Sequence, residues 1–208
     1  MTAIIDYDAG NIKNVEKALH HLGDEAVTTR DRNIILHANR VILPGVGSFG
    51  SAMQQLKKYE LDKVIYEVVQ QRKPFLGICL GLQLLFEGSE ESGGVEGLGI
   101  LKGNIIKIPD GPGLKIPHIG WNSLSLQNQG KLFEGILDHS YVYFVHSYYL
   151  QAKDEHIVKA VANYGVSIHA SVEQDNLFAC QFHPEKSSLA GLKMLQNFVK
   201  IQEGVKIC

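Results

Sequence analysis

From Ala3 to Phe86, short apolar runs alternate with amphipathic stretches, and this rhythm restricts the fold more than any other feature of the chain. AIIDY (3–7), EAVTT (25–29), RVIL (40–43) and PFLGI (74–78) are too short for helices and read as strands. After the first of them, Ile12, Val15, Leu19 and Leu22 recur close to helical period, with Asn11 as cap and Gly23 as stop. Ser51 to Arg72 is again helical, broken near Glu60, with Val64, Ile65, Val68 and Val69 as its apolar stripe. LGLQLLF (80–86) starts a further helix that ends near Gly88. Such alternation predicts a parallel sheet covered by helices on both faces.

From about Gly99 the pattern changes. ILKGNIIKI, WNSLSL, YVYFV, IVKAVA, VSIHASV and NLFACQF are strand-like runs joined by turn-rich segments, which predicts antiparallel hairpins. The helix SLAGLKMLQNFVKI follows, with Leu189, Leu192, Leu195 and Val199 on one face. EGSEESGGVEG, near residue 90, reads as a surface loop, and no repeat or linker interrupts the chain. The prediction is an α/β fold: a mostly parallel central sheet flanked by helices, with an added antiparallel β section, in one domain over residues 1–208.

Composition narrows the function classes. A formal net charge of −2 over 208 residues argues against a general nucleic-acid or membrane surface. No apolar stretch approaches the roughly 20 residues that span a bilayer. The start MTAIIDYDAG has no basic segment and carries Asp6 and Asp8, so it does not read as a signal peptide. Three cysteines, Cys79, Cys180 and Cys208, match neither a disulfide framework nor a zinc pattern, which points to a reducing cytoplasm. Cys208 reads as a tail thiol.

Cys79 stands at the junction of a strand and a helix, in G-I-C-L-G. This is the form of G-x-S-x-G with sulfur in place of oxygen. In that turn a nucleophile sits at a helix N-terminus, where free N–H groups favour a thiolate, and the next N–H, that of Leu80, faces a forming oxyanion. A cysteine packed in the core is the competing explanation, and only a base can decide between them.

The base candidate is His183. NLFACQF is a strand, and in the following HPEKS, Pro184 stops further pairing while Glu185 lies two residues past the histidine. A carboxylate there can hold one ring nitrogen so that the other faces the thiol. The alternatives are metal binding, for which no further ligands stand at metal spacing, and a plain turn with a surface glutamate. In a parallel sheet, Cys79 and His183 can both emerge at the carboxyl ends of their strands. Cys180 is mid-strand and reads as packing. PGVGSFG (44–50) matches the dinucleotide pattern G-x-G-x-x-G, but no acidic residue ends a following strand and Pro44 interrupts the turn. It reads instead as a loop whose N–H groups face a carbonyl or carboxylate, or as a tight turn.

PFLGICLGLQLLF together with QFHPEKS resembles the class I (triad) glutamine amidotransferases, and the match runs nearly end to end. Cys79, His183 and Glu185 align with the family's Cys-His-Glu triad, and PGVG stands where most members have Gly-Gly-Pro. With IDYDAGN (5–11), KIPHIGWN (115–122) and YVYFVHSYY (141–149), the chain is similar to the branch that serves imidazole glycerol phosphate synthase in histidine biosynthesis. It departs from the branch at Asp8, where glycine is more usual.

The resemblance implies a flavodoxin-like fold and glutamine hydrolysis without metal or organic cofactor. It implies an oxyanion hole from the backbones of Val46 and Leu80, and glutamine contacts from Gly45, Gly47 and Gln83. It also implies a (β/α)8 cyclase subunit as heterodimer partner, fed with ammonia through a tunnel, with Trp121, Asn122, Tyr143 and Lys186 facing it. Simple surface or core placement is the alternative for each of these four. Rival readings are a free-standing γ-glutamyl hydrolase, a paralogue that serves a surface-sugar amination synthase, and a non-catalytic regulatory subunit.

Overall fold

The computed structural model describes residues 1–8 and 12–202. The predicted cap Asn11 and the tail thiol Cys208 lie outside them. The first half is β1 (Thr2–Ile5), α1 (Ile12–His21), β2 (Ala26–Thr29), α2 (Arg32–His37), β3 (Arg40–Leu43), α3 (Phe49–Lys58), α4 (Leu61–Gln70), β4 (Phe75–Ile78) and α5 (Leu80–Leu84). The second half is β5 (Gly88–Ser89), β6 (Gly103–Lys107), β7 (His118–Ser123), β8 (Ser125–Leu126), β9 (Tyr141–His146), β10 (Tyr148–Ala152), β11 (Val158–Asn163), β12 (Ser167–Gln174), β13 (Leu177–Cys180) and α6 (Ser188–Lys200).

Eight strands form the central sheet in the order β2-β1-β3-β4-β13-β12-β11-β8. Pairing is parallel from β2 through to β13 and antiparallel beyond it. The predicted architecture is therefore present, and β13, from the second half of the chain, joins the parallel part. Alternation along β1 shows how both faces are covered. Ala3 and Ile5 pack with α3, α4 and α5, while Ile4 points into a second cluster with α1 and α6. Two small sheets, β10-β6-β5 and β7-β9, complete the antiparallel section.

Some expectations shift on contact with the structure. The helical stretch 51–72 is broken where predicted, at Glu60, which takes a left-handed φ of 56°. WNSLSL does not form one strand. Its halves belong to β7 and β8 in different sheets, with Leu124 buried between them. α2 was not predicted. It is a six-residue helix capped by Asp31, whose carboxylate accepts from Asn33 N at 2.8 Å and Ile34 N at 3.1 Å. Leu189, assigned to the inner face of α6, is 80% exposed. The buried face instead runs through Gly191, Met194, Leu195 and Phe198, because Gly191 lets the first turn sit against the Pro184 carbonyl.

Candidate active site

The site begins with the pairing of β4 and β13. They are adjacent and parallel, with Phe75 opposite Leu177 and Ile78 opposite Cys180. Both strands end on the same side of the sheet, at their carboxyl ends. Cys79 N donates to Cys180 O at 2.7 Å, and the chain then turns with φ 55° and ψ −109° at Cys79. That backbone conformation is rarely taken by a residue with a side chain, and its neighbours enforce it. A Cβ on Gly81 would overlap the Leu43 carbonyl, and one on Gly77 would lie 2.7 Å from Gly81 O. Glycine on each side of the cysteine therefore lets α5 press against β3 and β4. Leu80 opens α5, so its N–H is among the first-turn donors with no acceptor inside the helix.

His183 follows β13 after Gln181 and Phe182. Its own N–H donates to Tyr143 O at 2.9 Å, and Ser187 Oγ donates to its carbonyl at 2.6 Å. The ring Nδ1–H donates to Glu185 Oε1 at 2.9 Å, and both side chains are buried. Since a carboxylate only accepts, the proton is on Nδ1 and the lone pair of the neutral ring is on Nε2. Nε2 is buried with no hydrogen bond of good geometry, and the thiol it couples to is Cys79. Burial by itself pushes the imidazole down. The interactions with Cys79 and Glu185 outweigh it and raise His183 to about 9, so the imidazolium is the favoured form of this ring near neutrality.

A cleft of about 300 Å³ opens over Cys79. Val46 and Gly47 of the PGVG loop, Leu80 and Gln83 of α5, and Glu91 all line it. His183 and Glu185 border Gly45, Val46 and Ile78 beside the cleft. Gly47 has a φ of 102°, which favours glycine at the loop's tip. Tyr7 anchors the loop's base by donating to Pro44 O at 2.9 Å. The two halves of the chain thus bring a thiol, a buried imidazole with its carboxylate, and a glycine loop to one place.

A model of the family described as glutamine amidotransferase class-I matches residues 3–201. The chain belongs to the class I glutamine amidotransferases. Relatives of this amidotransferase include the imidazole glycerol phosphate synthase subunit HisH of Methanocaldococcus jannaschii. It is 49% identical over 97% of this chain and 100% of its own length. The subunit of the same name from Aquifex aeolicus is 48% identical, covering 97% of each chain. Among solved structures, one described as a glutamine amidotransferase superposes with a TM-score of 0.74 at 18% identity, over 95% of this chain and 97% of that one. PurLQS from Thermotoga maritima gives 0.72 at 21% identity, over 95% and 96%. These structural likenesses concern the fold.

The amidotransferase also holds cleft residues that the sequence did not single out. Glu91, read as part of a surface loop, faces the cleft, and its Oε2 accepts from Phe49 N at 2.7 Å at the start of α3. His146 lines the cleft as well. Its Nδ1–H donates to Tyr148 O at 2.9 Å, so its Nε2 accepts from His118 Nδ1–H at 3.0 Å. Burial pushes both imidazoles down to about 4, keeping the pair neutral. Only a structure could reveal these contacts, since β7 and β9 bring the two histidines together.

The same two-stranded β7–β9 sheet presents an apolar outer face. Ile119, Trp121 and Tyr141 are 59%, 52% and 62% exposed, far from the burial usual for such side chains. Tyr143 packs edge-on to Trp121, and the Lys186 ammonium lies 5.8 Å from the Tyr143 ring centre. Three of the four predicted partner-facing residues therefore cluster. Asn122 does not join them. It points to the other face of β7, where its amide donates to Asn163 O at 2.9 Å. Among the described residues no three acidic, His or Cys side chains converge as a metal site, and no helix is long and apolar enough to cross a membrane.

Proposed function

We propose that this amidotransferase is the glutamine-hydrolysing subunit of an imidazole glycerol phosphate synthase, with Cys79, His183 and Glu185 as its catalytic residues. The observation that carries the reading is the placement of Cys79 and His183 just past the ends of two paired parallel strands, with Glu185 holding the far side of the imidazole. The Cys79 thiolate attacks the side-chain amide carbon of glutamine. Leu80 N–H and Val46 N–H receive the negative charge on the amide oxygen. His183 gives its Nε2 proton to the departing nitrogen, releasing ammonia and leaving a thioester. It then takes a proton from water, which attacks the thioester and frees glutamate and the thiolate. Glu185 keeps the imidazole in the right tautomer throughout.

Substrate recognition follows from the cleft. Both Nε2 hydrogens of Gln83 are committed within the protein, to Tyr148 O and Gln181 Oε1, each at 3.0 Å. Its Oε1 is left to accept from glutamine. The Glu91 carboxylate suits the α-ammonium, and Gly45 and Gly47 leave room for backbone contacts.

The partner in this reading is a (β/α)8 cyclase that docks on the Ile119, Trp121 and Tyr141 face and receives ammonia before water can protonate it. The cyclase makes imidazole glycerol phosphate and aminoimidazole carboxamide ribotide from a phosphoribulosyl-formimino nucleotide. The chain acts as one domain, residues 1–208, in the cytoplasm, with no metal or organic cofactor in any step.

The test is glutamate release from glutamine by the purified chain, alone and with the cyclase subunit of the same genome plus its nucleotide. The reading expects low activity alone and a large rise in the mixture. Strong activity alone with no response to the cyclase contradicts it and favours a free-standing hydrolase.

A further inference from the structure

Among the described residues, Val145 and Gln181 place polar atoms against the sulfur of Cys79, besides His183. Val145 O lies 4.0 Å away, an acceptor for the thiol hydrogen. Gln181 Nε2 lies 3.8 Å away and can only donate. The two are complementary: the carbonyl suits the neutral thiol, and the amide N–H suits the thiolate.

Gln181 is held for that purpose from both ends. It is completely buried, and its backbone N–H donates to Ala170 O at 2.8 Å. Its side-chain Oε1 accepts from Gln83 Nε2 at 3.0 Å, which fixes which end of the amide faces sulfur. Gln83 is oriented in turn by Tyr148 O, the carbonyl that also accepts from His146. Among the described residues, neither Tyr7 nor Cys180 replaces this donor. The Tyr7 hydroxyl is engaged with Pro44 O, and Cys180 is a buried thiol.

We infer that Gln181 is the hydrogen-bond donor that steadies the Cys79 thiolate, and that Gln83 couples the substrate cleft to it. This rests on the reading of Cys79 as the nucleophile. A hydrogen bond to a charged acceptor in a buried site is stronger than a neutral one, and leaving such a charge short of a donor is costly. Glutamine that binds to Gln83 Oε1 touches the residue that holds Gln181 in place. Binding and nucleophile are thereby joined through two amides.

The experiment is alkylation of Cys79 by iodoacetamide in the full chain at pH 7.5, followed by peptide mass so that Cys180 and Cys208 are scored separately. Wild type is compared with Gln181→Met, which removes the donor at similar volume, and Gln181→Glu, which sets a carboxylate against the sulfur. Thermal unfolding of each variant reports on the fold. Alkylation is expected to slow by about tenfold in Gln181→Met, the usual scale for losing a charge-assisted hydrogen bond. It should slow further in Gln181→Glu. In the complex with the cyclase, Gln181→Met should lower kcat by a similar factor and raise KM as well, because Gln83 loses one of its two anchors.

Equal alkylation rates in all three proteins overturn the inference, as does equal slowing in both variants, the pattern of a merely structural residue. A wild-type Cys79 that resists iodoacetamide contradicts the nucleophile reading itself. That outcome is distinct from a reactive Cys79 that ignores Gln181.

Discussion

At the scale of the residue, Cys79 carries a tight local constraint. Its positive φ is strained for any side chain, and the close approach of α5 to β3 and β4 around it requires glycine at 77 and 81. Gly81→Ala should therefore lower stability by about 1–3 kcal/mol through overpacking against Leu43, read as a lower unfolding midpoint in urea. An unchanged midpoint would show that α5 can move away from β3. Glu185 acts at the same scale. Changing it to Gln leaves the shape but gives up the fixed tautomer of His183. Glutamate release should then fall by roughly a hundredfold or more, with KM little altered. A kinetic constant within a factor of two of wild type would remove Glu185 from the mechanism. Asp8, the departure from the family's usual glycine, has a positive φ of 66° and makes use of its side chain. The Tyr59 hydroxyl and the Arg30 guanidinium bond its carboxyl and hold it below the usual carboxylate range.

Among elements, the two-stranded β7–β9 sheet has two tasks. Its outer face is the proposed docking surface, and its inner edge holds the histidine loop, since Tyr143 O accepts from His183 N and Tyr143 N donates to Ser187 Oγ at 3.0 Å. Trp121→Ala should weaken association with the cyclase by about ten- to a hundredfold, as for a central aromatic anchor, without lowering the free chain's unfolding temperature. Titration calorimetry reads the first and thermal unfolding the second. Unaltered affinity would place the partner elsewhere. How legible these parts were in the sequence depends on how local their signals are. GICLG and QFHPEKS carry turn, nucleophile, base and orienter within a few residues, so the core of the site could be read. Glu91, Gln181 and the His118–His146 pair take their meaning from contacts between segments far apart in the chain, so although the last three lie within the quoted motifs, their roles could not be read there. α2 was missed because six residues are too few to show a period. Leu189 was misplaced because one glycine, Gly191, rotates the buried face of α6.

For the whole molecule, buried histidines on opposite sides of neutrality shape the pH response. His118 and His146 are held near 4, below the ordinary histidine value of about 6.5. The unfolded chain therefore binds protons first as pH falls. The stability they contribute is present above about 6.5 and is lost as pH drops toward 4. His183 works in the opposite sense. Raised to about 9, it contributes fully below about 6.5, and that contribution is lost as pH rises through 9. Denaturant midpoints should fall on both sides of neutrality, and His183→Gln should flatten the alkaline limb alone. An alkaline limb that survives this change intact would show that it does not come from the His183 imidazolium.

The central claim is that the paired ends of β4 and β13 build a nucleophile for the side-chain amide of glutamine. Its most direct test uses a glutamine analogue with a diazo ketone in place of that amide, incubated with the complex and followed by peptide mass. The account predicts one adduct, on Cys79, that excess glutamine prevents and His183→Ala slows. Labelling of Cys180 in its place, or no labelling at all by an otherwise active complex, would contradict it.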